Sequence, residues 1–241
     1  MELENTYNNI DEVLSNIPEN YKIMEEIIDL DIQKEYFESA KNLMPDPETD
    51  KIPALIENLN NLQTPVETLK IILMKLAMID SVEAFRAIES YYKHPHPEIK
   101  DWSLLSLQQS RMVIQSSLLG EQQVYISTGL GGKEDKLRYF LIFPYNNKSQ
   151  LSPVQKEAIK SELNFFLDRN MGIVEEIEIH KNFATALVLL PIKANIPEII
   201  QEILKECNHL GNFLTNDVMI TNMKKYSVDE IINILHHEGK E

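Results

Sequence analysis

The chain has 241 residues, 43% hydrophobic and 25% charged, with 38 acidic side chains against 23 basic ones. That length can bury one large core or two modest ones, and seven glycines with eleven prolines exclude collagen-like and low-complexity chains. A net charge of −15 speaks against a general nucleic-acid binder, because neutralising phosphates takes a basic face.

The acidic surplus is concentrated. Residues 1–50 carry 14 acidic and three basic side chains, whereas residues 51–120 balance at seven of each. The opening Met1-Glu2-Leu3-Glu4 is acidic where a secretory signal is basic, and no apolar run reaches the roughly 18 residues of a membrane span. Cys207 is the single cysteine and asks for no oxidising compartment. The expectation is a cytoplasmic protein that does not enter a membrane.

Helix is expected throughout residues 1–119. From Tyr21 to Met44 apolar residues return at three- and four-residue steps through Tyr21, Met24, Ile28 and Ile32, the mark of an amphipathic helix. Asp46-Pro47 breaks it. Further helices are predicted over 52–62, 65–79, 82–93 and 97–118. Thr64-Pro65-Val66-Glu67 reads as a capping box with proline at the first helical position, and Gly120 ends the run.

These four helices pair by sequence. Ile52-Pro53-Ala54-Leu55-Ile56 aligns with Val82-Glu83-Ala84-Phe85-Arg86, and Val66 and Leu69 align with Ile99 and Trp102. The pattern resembles the shorter HEAT-like helical repeats over about 51–119. It implies an array of helical hairpins, with the acidic helices before it and the segment after it acting as caps.

Beyond Gly120 the period changes to two. Val124–Thr128 and Leu137–Phe143 are β-type runs separated by the glycine-rich Gly129-Leu130-Gly131-Gly132-Lys133. Ser152-Pro153 opens a helix to about Arg169. Strands follow at 173–180 and 183–190, then a helix from Pro197 to His209, a strand at Val218–Thr221, and a last helix after the capping box Ser227-Val228-Asp229-Glu230. From residue 137 the order is β-α-β-β-α-β, which resembles a ferredoxin-like split β-α-β sandwich with an extra N-terminal strand and a C-terminal helix. Strands 137–143 and 183–190 lack polar alternation and are expected in the middle. The glutamate-bearing 173–180 is expected at an edge. The strand at 124–128 would compete with the final strand for one neighbour. Two domains result, an all-helical one over 1–120 and an α+β one over 121–241.

Chemistry is sparse. Gly129, Gly131 and Gly132, with Lys133, Lys136 and Arg138, form a candidate anion site, because glycine amides can approach a phosphate closely. The spacing is not that of a P-loop, and the segment leads into a strand. His180 with Glu176 and Glu178 alternates along one strand face, as metal ligands or acid–base groups can, but any exposed edge strand looks the same. Cys207 and His209 lie two apart on a helix and point in different directions. Trp102 falls on an interior position. No catalytic residues, metal ligands or cofactor are assigned.

The architecture therefore suggests a non-catalytic scaffold or adaptor. It would dock a protein partner with a basic surface on its acidic helical face through Glu25, Glu26, Asp29 and Asp31, with no direct nucleic acid. The alternative is a regulatory protein that senses a small anionic ligand through the 129–138 loop. An enzyme would need a pocket with mutually placed titratable groups, which spacing alone does not reveal.

Overall fold

The structure, a computed structural model, describes residues 21–43, 51–146 and 150–238. The helix expected before residue 21 and the Asp46-Pro47 break lie outside them. The chain is mixed α/β: among the described residues there are eight α-helices and an antiparallel sheet. It divides into two units, one holding Ile28–Tyr125 and the other Ile23–Ile27 with Ile126–Glu241.

The helical unit contains α1 (Leu30–Asn42), α2 (Ile52–Asn60), α3 (Val66–Met78), α4 (Val82–Tyr92) and α5 (Lys100–Leu119), the last entered through a 3-10 turn at Pro97–Ile99. The helix expected from Tyr21 starts nine residues late, at Leu30. Two local reasons account for the shift. Tyr21–Ile23 is a strand, β1, paired with β2 (Val124–Ile126) in a separate two-stranded sheet. The Asp29 carboxylate then accepts the Asp31 backbone N–H at 2.8 Å, capping the helix where it begins. The capping box at Thr64 does not form either. Its hydroxyl donates to the Asn58 carbonyl at 2.7 Å, and Pro65 holds the cap position without a side-chain bond.

The core of this unit is Leu69, Ile72, Leu73 and Leu76 of α3, Ala84 and Ile88 of α4, and Ile99, Trp102 and Leu105 at and along α5, all buried. Helix α5 also buries Ser103, Ser106 and Ser110. Small residues on one stripe let neighbouring helices approach, and the first two hydroxyls are satisfied by the Lys100 and Trp102 carbonyls at 2.7 and 3.0 Å. Gly120 closes α5 in the left-handed conformation at φ 67°.

The α+β unit is built on β3 (Gly132–Lys133), β4 (Lys136–Pro144), β5 (Ile173–Ile179), β6 (Phe183–Pro191) and β7 (Met219–Thr221). Helix α6 (Pro153–Arg169) connects β4 to β5, α7 (Ile196–Asn208) connects β6 to β7, and α8 (Val228–Glu238) follows. The antiparallel ladder runs β4-β6-β5, so β4 and β6 lie inside and β5 at an edge. The early strand does not compete with the last one, because Val124–Ile126 pairs with β1 in the separate sheet. On the outer side of β4, Gly132 and Lys133 pair with Leu137 and Lys136, while β7 pairs with Phe140, Leu141 and Ile142.

Both sheet faces are covered. Leu141, Phe143, Ala184, Ala186, Val188 and Leu190 pack with Ile159, Leu163, Phe166 and Leu167 of α6 and Ile199, Ile203 and Leu204 of α7. On the other face Phe140, Ile142, Phe183 and Leu130 pack with Ile231 of α8. Helix α6 opens with a full Ser152–Gln155 capping box. The box expected at Ser227 is present as well, Glu230 N–H meeting Ser227 Oγ and Ser227 N–H meeting Glu230 Oε2.

Candidate functional site

The glycine-rich segment is packed rather than open. Thr128 through Gly132 are buried. A Cβ added at Gly129 would lie 1.7 Å from the Met223 carbonyl oxygen, and one at Gly131 would lie 2.5 Å from the carbonyl oxygens of both Glu25 and Glu26. The glycines are needed for close backbone approach, but what approaches is carbonyl oxygen, which repels an anion. The amides are engaged: Leu130 N–H donates to Asn222 O at 3.0 Å and Gly131 N–H to Thr128 O at 3.2 Å.

Two of the three cations around the loop are engaged too. Arg138 donates to both carboxylate oxygens of Glu175, at 2.5 and 3.1 Å, and its Nη1 donates to the Leu130 carbonyl at 2.7 Å. Lys136 pairs with Asp135 at 3.0 Å, and Lys133 is exposed on the short β3. The arrangement gives this segment a packing role.

The four acids expected on one helix face are not on one. Glu25 and Glu26 precede α1, and Glu25 Oε1 accepts the Glu134 N–H at 3.2 Å. Asp29 is the helix cap, and Asp31 alone stands within α1.

At the β5 edge, His180 Nε2 lies 3.2 Å from Glu178, and its ring sits 4.7 Å from that of Phe183. Lys225 pairs with Glu176 and, at 3.9 Å, with Glu178. Lys225 thus pairs with the two glutamates, and His180 lies within hydrogen-bond distance of Glu178. Among the described residues no group of three or more His, Cys, Asp and Glu could hold a metal ion.

A different place in the helical unit combines concavity with chemistry. A cleft of about 360 Å³ is lined by Ile32 and Glu35 of α1, Lys70 of α3, and Pro97, Glu98, Lys100, Asp101 and Trp102 at the start of α5. Lys70 Nζ stands 4.8 Å from the centre of the Trp102 ring and pairs with Glu35 at 3.1 Å and Glu67 at 3.4 Å. The indole N–H donates to the Lys70 carbonyl at 3.1 Å, and Tyr36 meets the ring edge-on at 5.1 Å. Burial alone would push the Lys70 ammonium down. The carboxylates Glu35 and Glu67 more than offset that and hold it above its ordinary value. No ion pair among the described residues engages Glu98, Lys100 or Asp101. Periodicity placed Trp102 in the interior, where it is. It gave no sign that Lys70 lies over the ring, since the two are 32 residues apart.

No protein-family model matches the chain, and no curated protein matches it. Solved structures do. One is a candidate transposase from Deinococcus radiodurans, 17% identical, covering 43% of this chain and 89% of that one with a TM-score of 0.34. Another is a REP-associated tyrosine transposase bound to a REP hairpin, 14% identical, covering 42% of this chain and 61% of that one with a TM-score of 0.32. Two expectations are set aside on this comparison. The non-catalytic adaptor that docks a basic protein partner, and the exclusion of direct nucleic-acid contact, both stand against neighbours that are transposases, one of them holding a REP hairpin. Neither is carried further. Likenesses at these TM-scores do not say what this chain itself does. Among the described residues no helix is long and apolar enough to cross a membrane.

Proposed function

We propose that this chain is a small-ligand-binding protein and that the Trp102 cleft is its recognition site. The observation that carries the reading is convergence. Three separate segments, α1, α3 and the entry to α5, bring an indole and several charged side chains around one concavity of about 360 Å³, a size suited to a small organic ligand. Glu98, Lys100 and Asp101 at its rim are available to orient one.

The finer architecture belongs to the same proposal. The β7-β4-β6-β5 order fits a ferredoxin-like split sandwich. The α2–α3 and α4–α5 hairpins fit two HEAT-like repeats, with the domain boundary in the sequence near residue 120. We place the protein in the cytoplasm, where a lone buried cysteine such as Cys207 stays reduced.

The test is thermal unfolding of the full chain against millimolar panels of organic amines, carboxylates and phosphates. At least one class should raise Tm, with the rise reduced in the Glu98→Gln/Asp101→Asn variant. The reading fails if no panel shifts Tm while a DNA hairpin binds at physiological salt equally well to wild type and variant.

A further inference from the structure

The cleft already contains a cation of its own. The Lys70 ammonium lies over the face of Trp102 and is paired with Glu35 and Glu67. An aromatic face and paired carboxylates are the parts from which proteins build recognition sites for ammonium and guanidinium groups. Glu98 and Asp101, three residues apart in the same lining, add carboxylates that no ion pair among the described residues engages.

Resting on the reading of the cleft as a ligand site, we infer that its ligand is a small organic cation, an alkylammonium or alkylguanidinium, which displaces Lys70 from the indole. Lys70 is then a tethered competitor. Its side chain is 20% exposed, so it has solvent on one side into which it can swing. Trp102, by contrast, keeps only 3% of its surface exposed, with Tyr36 at its edge and Lys70 over its ring. A ligand can reach the ring only from the state in which Lys70 has left, and its apparent affinity falls by the population of that state. An anion would meet Glu35, Glu98 and Asp101 in the same lining, with Lys100 as the cation beside them once Lys70 has moved.

Trp102 is the single tryptophan of the chain, so its fluorescence reports the site directly. The experiment titrates the full chain with n-butylguanidinium or n-butylammonium chloride at millimolar concentration, against sodium chloride at equal ionic strength. Acetate and inorganic phosphate are titrated in parallel. A saturable change in Trp102 emission with the organic cations is expected, and Lys70→Ala should tighten it about tenfold if the lysine covers the ring about nine-tenths of the time. Glu98→Gln/Asp101→Asn, with Lys70 and its two partners retained, should weaken it and checks the site should Lys70→Ala fail to fold. Saturable binding of acetate or phosphate but not of the cations overturns the cation assignment and leaves the cleft reading standing. Binding of cations no tighter to a folded Lys70→Ala overturns the role of Lys70. No response to any titrant in either protein overturns both.

Discussion

Arg138 grips Glu175 from two strands away. The arginine belongs to β4, opposite Leu189 of β6, and the glutamate to β5, where it falls between the partners of Val188 and Leu187, and the guanidinium meets both carboxylate oxygens. The clamp depends on the irregularity of β5 between Val174 and Glu176. An extra residue in a strand re-aims a side chain, and Glu175 is that residue. The two side chains are 13% and 27% exposed, so the pair is sheltered from water.

Removing the arginine strands the glutamate and frees the Leu130 carbonyl. Arg138→Met should therefore lower stability by about 2 kcal/mol, read as a shift of the urea midpoint. Glu175→Gln, which keeps a hydrogen-bond acceptor, should cost less. Equal effects would show that the charge, not the geometry, matters.

Two glycines should respond differently to alanine. At Gly120 there is open space, and only its φ of 67° opposes a side chain, so Gly120→Ala should cost about 1 kcal/mol. At Gly129 the new Cβ would collide with the Met223 backbone, which forces the chain apart at about 3 kcal/mol. Denaturation of the two variants side by side checks the ranking.

Hydrogen bonding from Lys224, then from the Ser227 backbone and hydroxyl, holds the Glu230 carboxyl down at about 2, against an ordinary value of 4.5. A carboxyl depressed in the folded state contributes its stabilisation fully above its ordinary value and loses it as pH falls toward the depressed one. An NMR titration should place the Glu230 midpoint near 2. In Glu230→Gln, the part of the acid destabilisation of α8 that arises between those two values should disappear.

Burial, with Glu162 and Glu206 adding like charge, pushes the Cys207 thiol up to about 12. The thiolate is the reactive form, so Cys207 should resist a disulfide reagent at neutral pH in the native protein. It should react fully once urea unfolds the chain. Rapid labelling of native protein would show that α7 opens readily.

Much of the fold was readable because it rests on local signals. Ser152 with Gln155, Ser227 with Glu230, and Gly120 after α5 mark helix ends where the structure has them. The unalternating runs at 137–143 and 183–190 became the two inner strands. The errors share a cause. Tyr21–Ile23 carries helical periodicity, yet it pairs with a strand a hundred residues on, and a long-range partner overrides local preference. Thr64 has the right neighbours for a cap but meets the Asn58 carbonyl first. The glycine-rich loop looked open because glycine permits close approach without saying to what. The cleft had no linear signature, since α1, α3 and the entry to α5 supply its walls.

The division of the chain between its units governs the order in which it can fold during synthesis. Ile23–Ile27 belongs with Ile126–Glu241, and the main segment of the helical unit, Ile28–Tyr125, is made between them. Met24 must wait for Ile126, whose carbonyl accepts its N–H at 2.9 Å, and Glu25 for the amide of Glu134. At a translation rate of about 5–20 residues per second, that delay is on the order of ten seconds. The helical unit thus has time to form as a closed insertion before the strands that flank it are complete. A single cut near residue 120 would part the α+β unit from its own first segment.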